Sequence, residues 1–221
     1  MSEQNYNLAF VFPGQGSQSI GMLSDLAETF PTVKQTFEQA SECLSFDLWN
    51  LVQQGPIEDL NQTHNTQPAM LAAGVAMWRV LCEQTTVRPD WMAGHSLGEY
   101  SALVCSDAIS FEDAISLVAE RGRLMQQAVP EGIGAMAAII GLEDHIVVKA
   151  CTESAGNEIV SAVNFNSPGQ VVIAGHVAAV ERAMAAAKEA GAKRALKLPV
   201  SVPSHCALME PAAEKLDEKL K

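Results

Sequence analysis

Basic residues are scarce in this 221-residue chain: 14 Lys and Arg face 26 Asp and Glu, a formal net charge of −12. A nucleic-acid binder needs a basic surface to replace counterions around phosphate, so that class is excluded. An anionic membrane surface is excluded on the same ground. An acidic partner would need a local basic patch. Paired cysteine motifs are absent too. Cys43, Cys82, Cys105, Cys151 and Cys206 contain no CxxC pair, and an odd, scattered count reads as free thiols in a reducing compartment. The five histidines lack metal-ligand spacing. Long hydrophobic runs are missing as well. The longest, Gly134 to Leu142, is nine residues and cannot span a bilayer. The start, Met1-Ser2-Glu3-Gln4-Asn5, has no basic n-region, so no signal peptide is expected and the cytoplasm is the expected location.

What remains is ordinary globular material, 48% apolar and 18% charged. A chain of this length buries roughly 70% of the surface its unfolded form exposes, enough for a core without staples. It makes one large domain or two small ones.

Leu8–Phe12 is a short apolar run ended by Pro13-Gly14, the pattern of a buried strand. Helical periodicity follows at 31–44, 47–54 and 67–83. Trp91-Met92-Ala93 reads as a second strand leading into Gly94-His95-Ser96-Leu97-Gly98. Helices are expected at 97–106 and 111–128, the latter opened by a Ser110-x-x-Asp113 capping signal. Strand, helix, strand, strand, helix, strand then follow at 135–140, 143–155, 159–164, 170–174, 178–190 and 195–198, and Ser204 is placed to cap a final helix. The βαββαβ order over about 132–199 is the ferredoxin-like pattern. The expected fold class is α/β: an α/β-hydrolase-like large domain with a parallel sheet (1–131 and 200–221) and an inserted ferredoxin-like small domain (132–199). In open α/β sheets the site lies at the carboxyl ends of the strands.

Gly94-x-Ser96-x-Gly98 has the form of a nucleophile elbow. The glycines permit a sharp turn that projects Ser96, and the Leu97 N–H at the following helix start can receive an oxyanion. The alternative is a glycine turn with an incidental serine. A serine hydroxyl needs a base. His95 is adjacent and points away; His64, His145 and His176 sit in or beside polar stretches. His205, in Val202-Pro203-Ser204-His205 after the small domain, is the best base candidate, against a helix-start histidine with no catalytic duty. Arg121 lies on or beside the apolar stripe of helix 111–128, with no acid at i±3 or i±4. A desolvated arginine requires a partner: a substrate carboxylate gripped by the guanidinium fork, a distant Asp or Glu, or a snorkelled position for the head. Pro13-Gly14-Gln15-Gly16 lacks both GxGxxG and a Walker lysine, which argues against phosphate binding. The Gln15 N–H is a candidate second oxyanion donor, or the segment is a plain βα turn.

Phe12-Pro-Gly-Gln-Gly-Ser-Gln18, Thr66-Gln67-Pro68, Gly94-His-Ser-Leu-Gly-Glu-Tyr-Ser-Ala102, Arg121-Gly122, Asn164-Phe-Asn-Ser-Pro168 and Pro203-Ser-His205 run in order across nearly the whole chain. Together they resemble the malonyl-CoA:acyl-carrier-protein transacylase family, in its stand-alone bacterial form from fatty acid synthesis. The resemblance implies ping-pong acyl transfer from malonyl-CoA to the phosphopantetheine thiol of acyl carrier protein. Ser96 would be nucleophile and His205 base. Leu97 and Gln15 would form the oxyanion hole, Arg121 would hold the malonate carboxylate, and Gln67 would border the pocket. No metal or redox cofactor is implied, coenzyme A arriving as substrate, and a monomer is expected. The carrier protein is acidic in this family, and Lys188, Lys193, Arg194 and Lys197 would offer it a docking patch. The family's chains continue past this C-terminus with further strands and the carbonyl that orients the histidine, so the resemblance implies a chain short at that end. Many relatives also carry Phe where Ser204 stands, a position bearing on branched acyl groups. Two other functions remain: a serine esterase or thioesterase, which shares GxSxG and His but needs a triad acid not evident here, and a non-catalytic remnant that binds carrier protein or CoA.

Overall fold

The computed structural model describes residues 8–130, 132–198, 200 and 202–221. Met1 to Asn5, on which the expectation of no signal peptide rests, lie outside the described residues. The chain divides into two compact units, up to Gly122 and from Arg123.

In the first unit, β1 (Ala9–Phe12) is followed by α1 (Ser24–Thr29), α2 (Pro31–Leu44), α3 (Leu48–Gln54), α4 (Ile57–Leu60), α5 (Thr63–Gln84), β2 (Trp91–Gly94) and α6 (Gly98–Cys105). α7 (Phe111–Ala128) crosses into the second unit. β1 and β2 pair in parallel, Ala9 opposite Trp91 and Phe12 opposite Gly94. Parallel pairing needs a long crossover, which the helical segment between them supplies. Because the pairing is in register, both strands end together, and the loops after Phe12 and Gly94 emerge side by side. α2 buries Val33, Thr36, Phe37 and Ala40, the i, i+3/i+4 stripe seen in the sequence, against a core that includes Leu48, Leu71, Ile115 and Val118. The Ser110 hydroxyl accepts the Asp113 N–H at 3.1 Å and donates to its carboxylate at 2.7 Å, the expected cap of α7.

α5 departs from its expected start at 67. The helix instead begins at Thr63, and Pro68 lies inside it. The added turn is held because the Asn65 and Thr66 N–H groups donate to the Gln62 carbonyl, each at 2.8 Å, and Thr63 and Thr66 are buried.

The second unit carries β3 (Gly134–Ile140), α8 (Asp144–Ala155), β4 (Val160–Ser167), β5 (Gln170–His176), α9 (Val177–Glu189), β6 (Arg194–Lys197), a 3₁₀ turn (Ala207–Met209) and α10 (Glu210–Lys219). Its four strands form an antiparallel sheet in the order β4-β5-β3-β6. Alternate residues face opposite ways along a strand. Ala135, Ala137, Ile139, Val171 and Ile173 join the core made with α8 and α9. Met136, Val172 and Ala174 pack with Cys206, Val200 and Leu208. Burial on both faces explains why β3 reads as a continuous apolar run.

Ser204 does not cap the last helix. The 3₁₀ turn is preceded by Cys206 and α10 by Met209. Pro211 supplies the preset φ of a helix start, which moves the beginning downstream. Residues 203–206 form a turn instead, with the Ser204 N–H donating to the Val202 carbonyl at 3.0 Å.

All five cysteines are free thiols. Burial pushes Cys105 up to about 12 and Cys151 up to about 11, so both serve as small apolar side chains. Among the described residues no helix is long and apolar enough to cross a membrane.

Candidate active site

The end of β2 is built by three glycines that backbone crowding makes obligatory. A Cβ on Gly94 would lie 1.8 Å from the Gly98 carbonyl carbon. One on Gly98 would lie 2.2 Å from the Phe12 carbonyl oxygen, and one on Gly14 would lie 2.6 Å from that of His95. The β1 and β2 turns therefore touch backbone to backbone, joined by the His95 N–H donating to the Phe12 carbonyl at 3.0 Å. Between them Ser96 adopts a left-handed conformation, φ 52°. A non-glycine residue there is under strain, which the flanking glycines help to accommodate. α6 starts two residues later, so the Leu97 N–H belongs to the helix-start amides that lack an intrahelical acceptor.

Arg121 reaches this elbow from α7. One terminal nitrogen donates to the Gln67 side-chain oxygen at 2.8 Å, and the other to the Ser96 hydroxyl at 3.2 Å. The Tyr100 ring, one helical turn beyond Ser96, lies 5.6 Å from the guanidinium carbon. Gly122 makes the approach possible, because a Cβ there would lie 2.6 Å from the His64 Cα and 2.7 Å from the Thr63 carbonyl. α7 thus seats directly on the first turn of α5, and Arg121 meets the fully buried Gln67 one turn on. Desolvation pushes the Arg121 pKa down, with Tyr100 opposing. It stays charged, since guanidinium is not deprotonated in proteins. Among the described residues its partners are Gln67, Ser96 and the Tyr100 ring, none of them a carboxylate. A half-buried cation with neutral partners gains from an arriving anion.

Gln15 follows β1 in the turn that packs on the elbow, and its side-chain amide donates to the Thr63 hydroxyl at 3.3 Å. The first unit therefore gathers Ser96, Leu97, Gln67 and Arg121, with Gln15 on the adjoining turn. His205 belongs to the second unit, exposed and left-handed at φ 68°, in the turn before the 3₁₀ segment. Two other histidines have local duties: His145 lies 3.3 Å from Glu143 at the surface, and His176 accepts the Ile159 N–H at 2.9 Å. Tyr100 and Thr63 were not singled out from the sequence. Tyr100 was open to detection only as a residue in the first turn of the helix that follows the elbow. The role of Thr63 was not, because it depends on where α5 begins. Among the described residues no cluster of three or more His, Cys, Asp or Glu could hold a metal ion.

The acyl transferase domain family matches residues 9–221. The malonyl CoA-acyl carrier protein transacylase of Escherichia coli K12 is 66% identical over 212 residues, 96% of this chain and 69% of that protein. The crystal structure of an acyl carrier protein S-malonyltransferase from Vibrio cholerae superposes with a TM-score of 0.93 at 66% identity, covering 97% of this chain and 70% of that one. A type II polyketide acyl-carrier protein in complex with its malonyl-transacylase gives 0.96 at 65% identity, with coverage of 97% and 70%.

Proposed function

This chain belongs to the acyl transferase domain family, and from that premise we propose that it moves a malonyl group from malonyl-CoA to the phosphopantetheine thiol of acyl carrier protein in fatty acid synthesis. The observation that carries this is Arg121, a guanidinium with no carboxylate partner among the described residues, which reaches the Ser96 oxygen itself. In a malonyl ester the free carboxylate lies only two carbons from the ester carbonyl. A cation at that distance from the nucleophile fits a short diacid, and a neutral acyl chain would leave it unpaired.

In this reading Ser96 Oγ attacks the thioester carbonyl while His205 takes its proton. The tetrahedral oxyanion is received by the Leu97 and Gln15 N–H groups. The carbon–sulfur bond breaks, His205 returns the proton to the departing coenzyme A sulfur, and a malonyl ester remains on Ser96. The carrier thiol then attacks with His205 again as base, and the serine leaves reprotonated. Arg121 takes the carboxylate in a two-pronged grip, and Gln67 holds the guanidinium from the other side. The sequence needs no resident metal or redox cofactor. We place it in the cytoplasm, acting as a monomer, without nucleic acid or membrane.

We also read the parallel strand pair with its elbow as part of an α/β-hydrolase-like large domain, 1–131 with 200–221, and residues 132–199 as an inserted ferredoxin-like domain. The β4-β5-β3-β6 order, with α8 and α9 sharing one core, supports the second label.

The test against a thioesterase is intact-protein mass after brief exposure to malonyl-CoA, then addition of carrier protein or buffer alone. A single malonyl adduct that persists in buffer and discharges to the carrier is expected. Loss to water at the same rate as to carrier would overturn transfer in favour of hydrolysis.

Lys188, Lys193, Arg194 and Lys197 are all exposed on α9, β6 and the loop joining them, and we read them as the docking patch for the acidic carrier. Lys197 already pairs with Glu181 at 3.6 Å, and the Lys193 stem lies against Gly141. Lys188→Glu with Arg194→Glu is therefore the cleaner reversal. It should raise the carrier KM roughly tenfold at low salt and spare acylation by malonyl-CoA. Equal effects on both half-reactions would refute the patch.

A further inference from the structure

Thr63 bonds the side chain of Gln15, and the chemistry above leaves it unused. It is the first residue of α5 and fully buried. Its hydroxyl accepts the Gln15 side-chain amide at 3.3 Å. Its carbonyl lies 2.7 Å from where a Gly122 Cβ would sit, directly beside Arg121. One residue therefore touches both the turn that carries Gln15 and the helix that carries Arg121.

Among the described residues the Gln15 turn's other anchors are the His95 N–H bond to the Phe12 carbonyl at its start, backbone packing, and two exposed bonds. Gly14 packs closely on the elbow, since a Cβ there would lie 2.6 Å from the His95 carbonyl oxygen. Gly16, at φ 109°, leaves the backbone unusually free, since no L side chain restricts it. Its N–H donates to the Gln18 side-chain oxygen at 2.7 Å, and the Gln18 amide donates to Asn61 at 2.8 Å. Both of these bonds are exposed, where water competes. The Thr63 bond is the partly buried one, so water replaces it least well.

We infer that Thr63 is a positioning residue: its hydroxyl holds the Gln15 side chain and thereby aims the Gln15 backbone N–H at the oxyanion. This rests on the reading of Gln15 as an oxyanion donor. The effect differs in kind from that of Arg121. An oxyanion forms from every acyl group, charged or not, whereas the guanidinium serves only an acyl group with a second carboxylate.

The experiment compares Thr63→Val, which keeps the branched shape and removes the hydroxyl, with Thr63→Ser, which keeps the hydroxyl. Hydrogen exchange by mass spectrometry over residues 13–18 of the intact chain is read beside the acylation rates with malonyl-CoA and acetyl-CoA. In Thr63→Val, exchange over 13–18 should quicken about three- to tenfold, with later turns of α5 unchanged, and both acylation rates should fall by a common factor of about three to ten. Thr63→Ser should behave as wild type. Gln15→Met cannot donate to Thr63 and should reproduce the Thr63→Val pattern, which keeps the test open if Thr63→Val does not fold. Unchanged exchange in the hydroxyl-deleted variants would overturn the inference, as would a loss confined to malonyl-CoA, or Thr63→Ser behaving like Thr63→Val. Faster exchange with both acylation rates intact would overturn it by a different route: the tie would exist, and the reading of Gln15 as oxyanion donor would have failed.

Discussion

Replacing Ser96 with alanine is expected to abolish the malonyl adduct and leave the fold intact. Loss of a serine nucleophile costs about 10⁶-fold in turnover where it has been measured singly. Alanine keeps the Cβ, so the left-handed backbone at position 96, φ 52°, carries much the same strain as before. The guanidinium loses one hydrogen bond and keeps Gln67 and the Tyr100 ring. Thermal unfolding within about 1 kcal/mol of wild type is therefore expected beside a mass spectrum without adduct. A control follows from the cysteines. With Cys105 and Cys151 pushed up to about 12 and about 11, neither supplies thiolate near pH 7. An adduct of equal yield on Ser96→Ala would mean another nucleophile, and the elbow would then be only a turn.

Arg121→Ala should lower kcat/KM for malonyl-CoA by roughly 30- to several thousand-fold, the range of about 2–5 kcal/mol for truncating one member of a buried, hydrogen-bonded charge pair. Acetyl-CoA has no carboxylate to lose, so its acylation should hold or improve. Stability should change little, because removing a guanidinium that burial disfavours offsets the lost bonds to Gln67 and Ser96. Arg121→Lys should recover only part of the malonyl rate. An ammonium keeps the charge and forfeits the planar fork that bonds Gln67 with one arm and leaves the other toward Ser96. The measurement is single-turnover acylation with both thioesters. Equal losses on the two would sink the carboxylate role and leave Arg121 a structural support for the elbow.

Several features were legible because their physics is local. The Gly94-x-Ser96-x-Gly98 elbow follows from three alternate residues and a strand before them. The stripe of α2, the Ser110 cap of α7 and the apolar run of β3 each depend on residues within a few positions of one another. The α5 start escaped because the apolar periodicity reaches back only to 67, while the turn before it is held by Gln62 and by burial of Thr63 and Thr66. Ser204 misled for a related reason: a serine before an apolar run resembles a cap, while Pro211 decides where the helix begins.

For Arg121 the sequence could state the need without naming the partners. Helix periodicity placed a cation on the apolar side with no acid within one turn. Gln67 lies 54 positions away and Ser96 25, and no periodicity reaches that far. Gly122 brings α7 onto α5, and α5 brings Gln67, so the mount depends on which helices pack. Short-range sterics and spacing wrote the Ser96 turn and the order of strands and helices into the chain. The surroundings of the guanidinium, and the bond from Thr63 to Gln15 across 48 positions, were settled by tertiary packing, because a buried polar group takes its partner from whatever segment is folded against it.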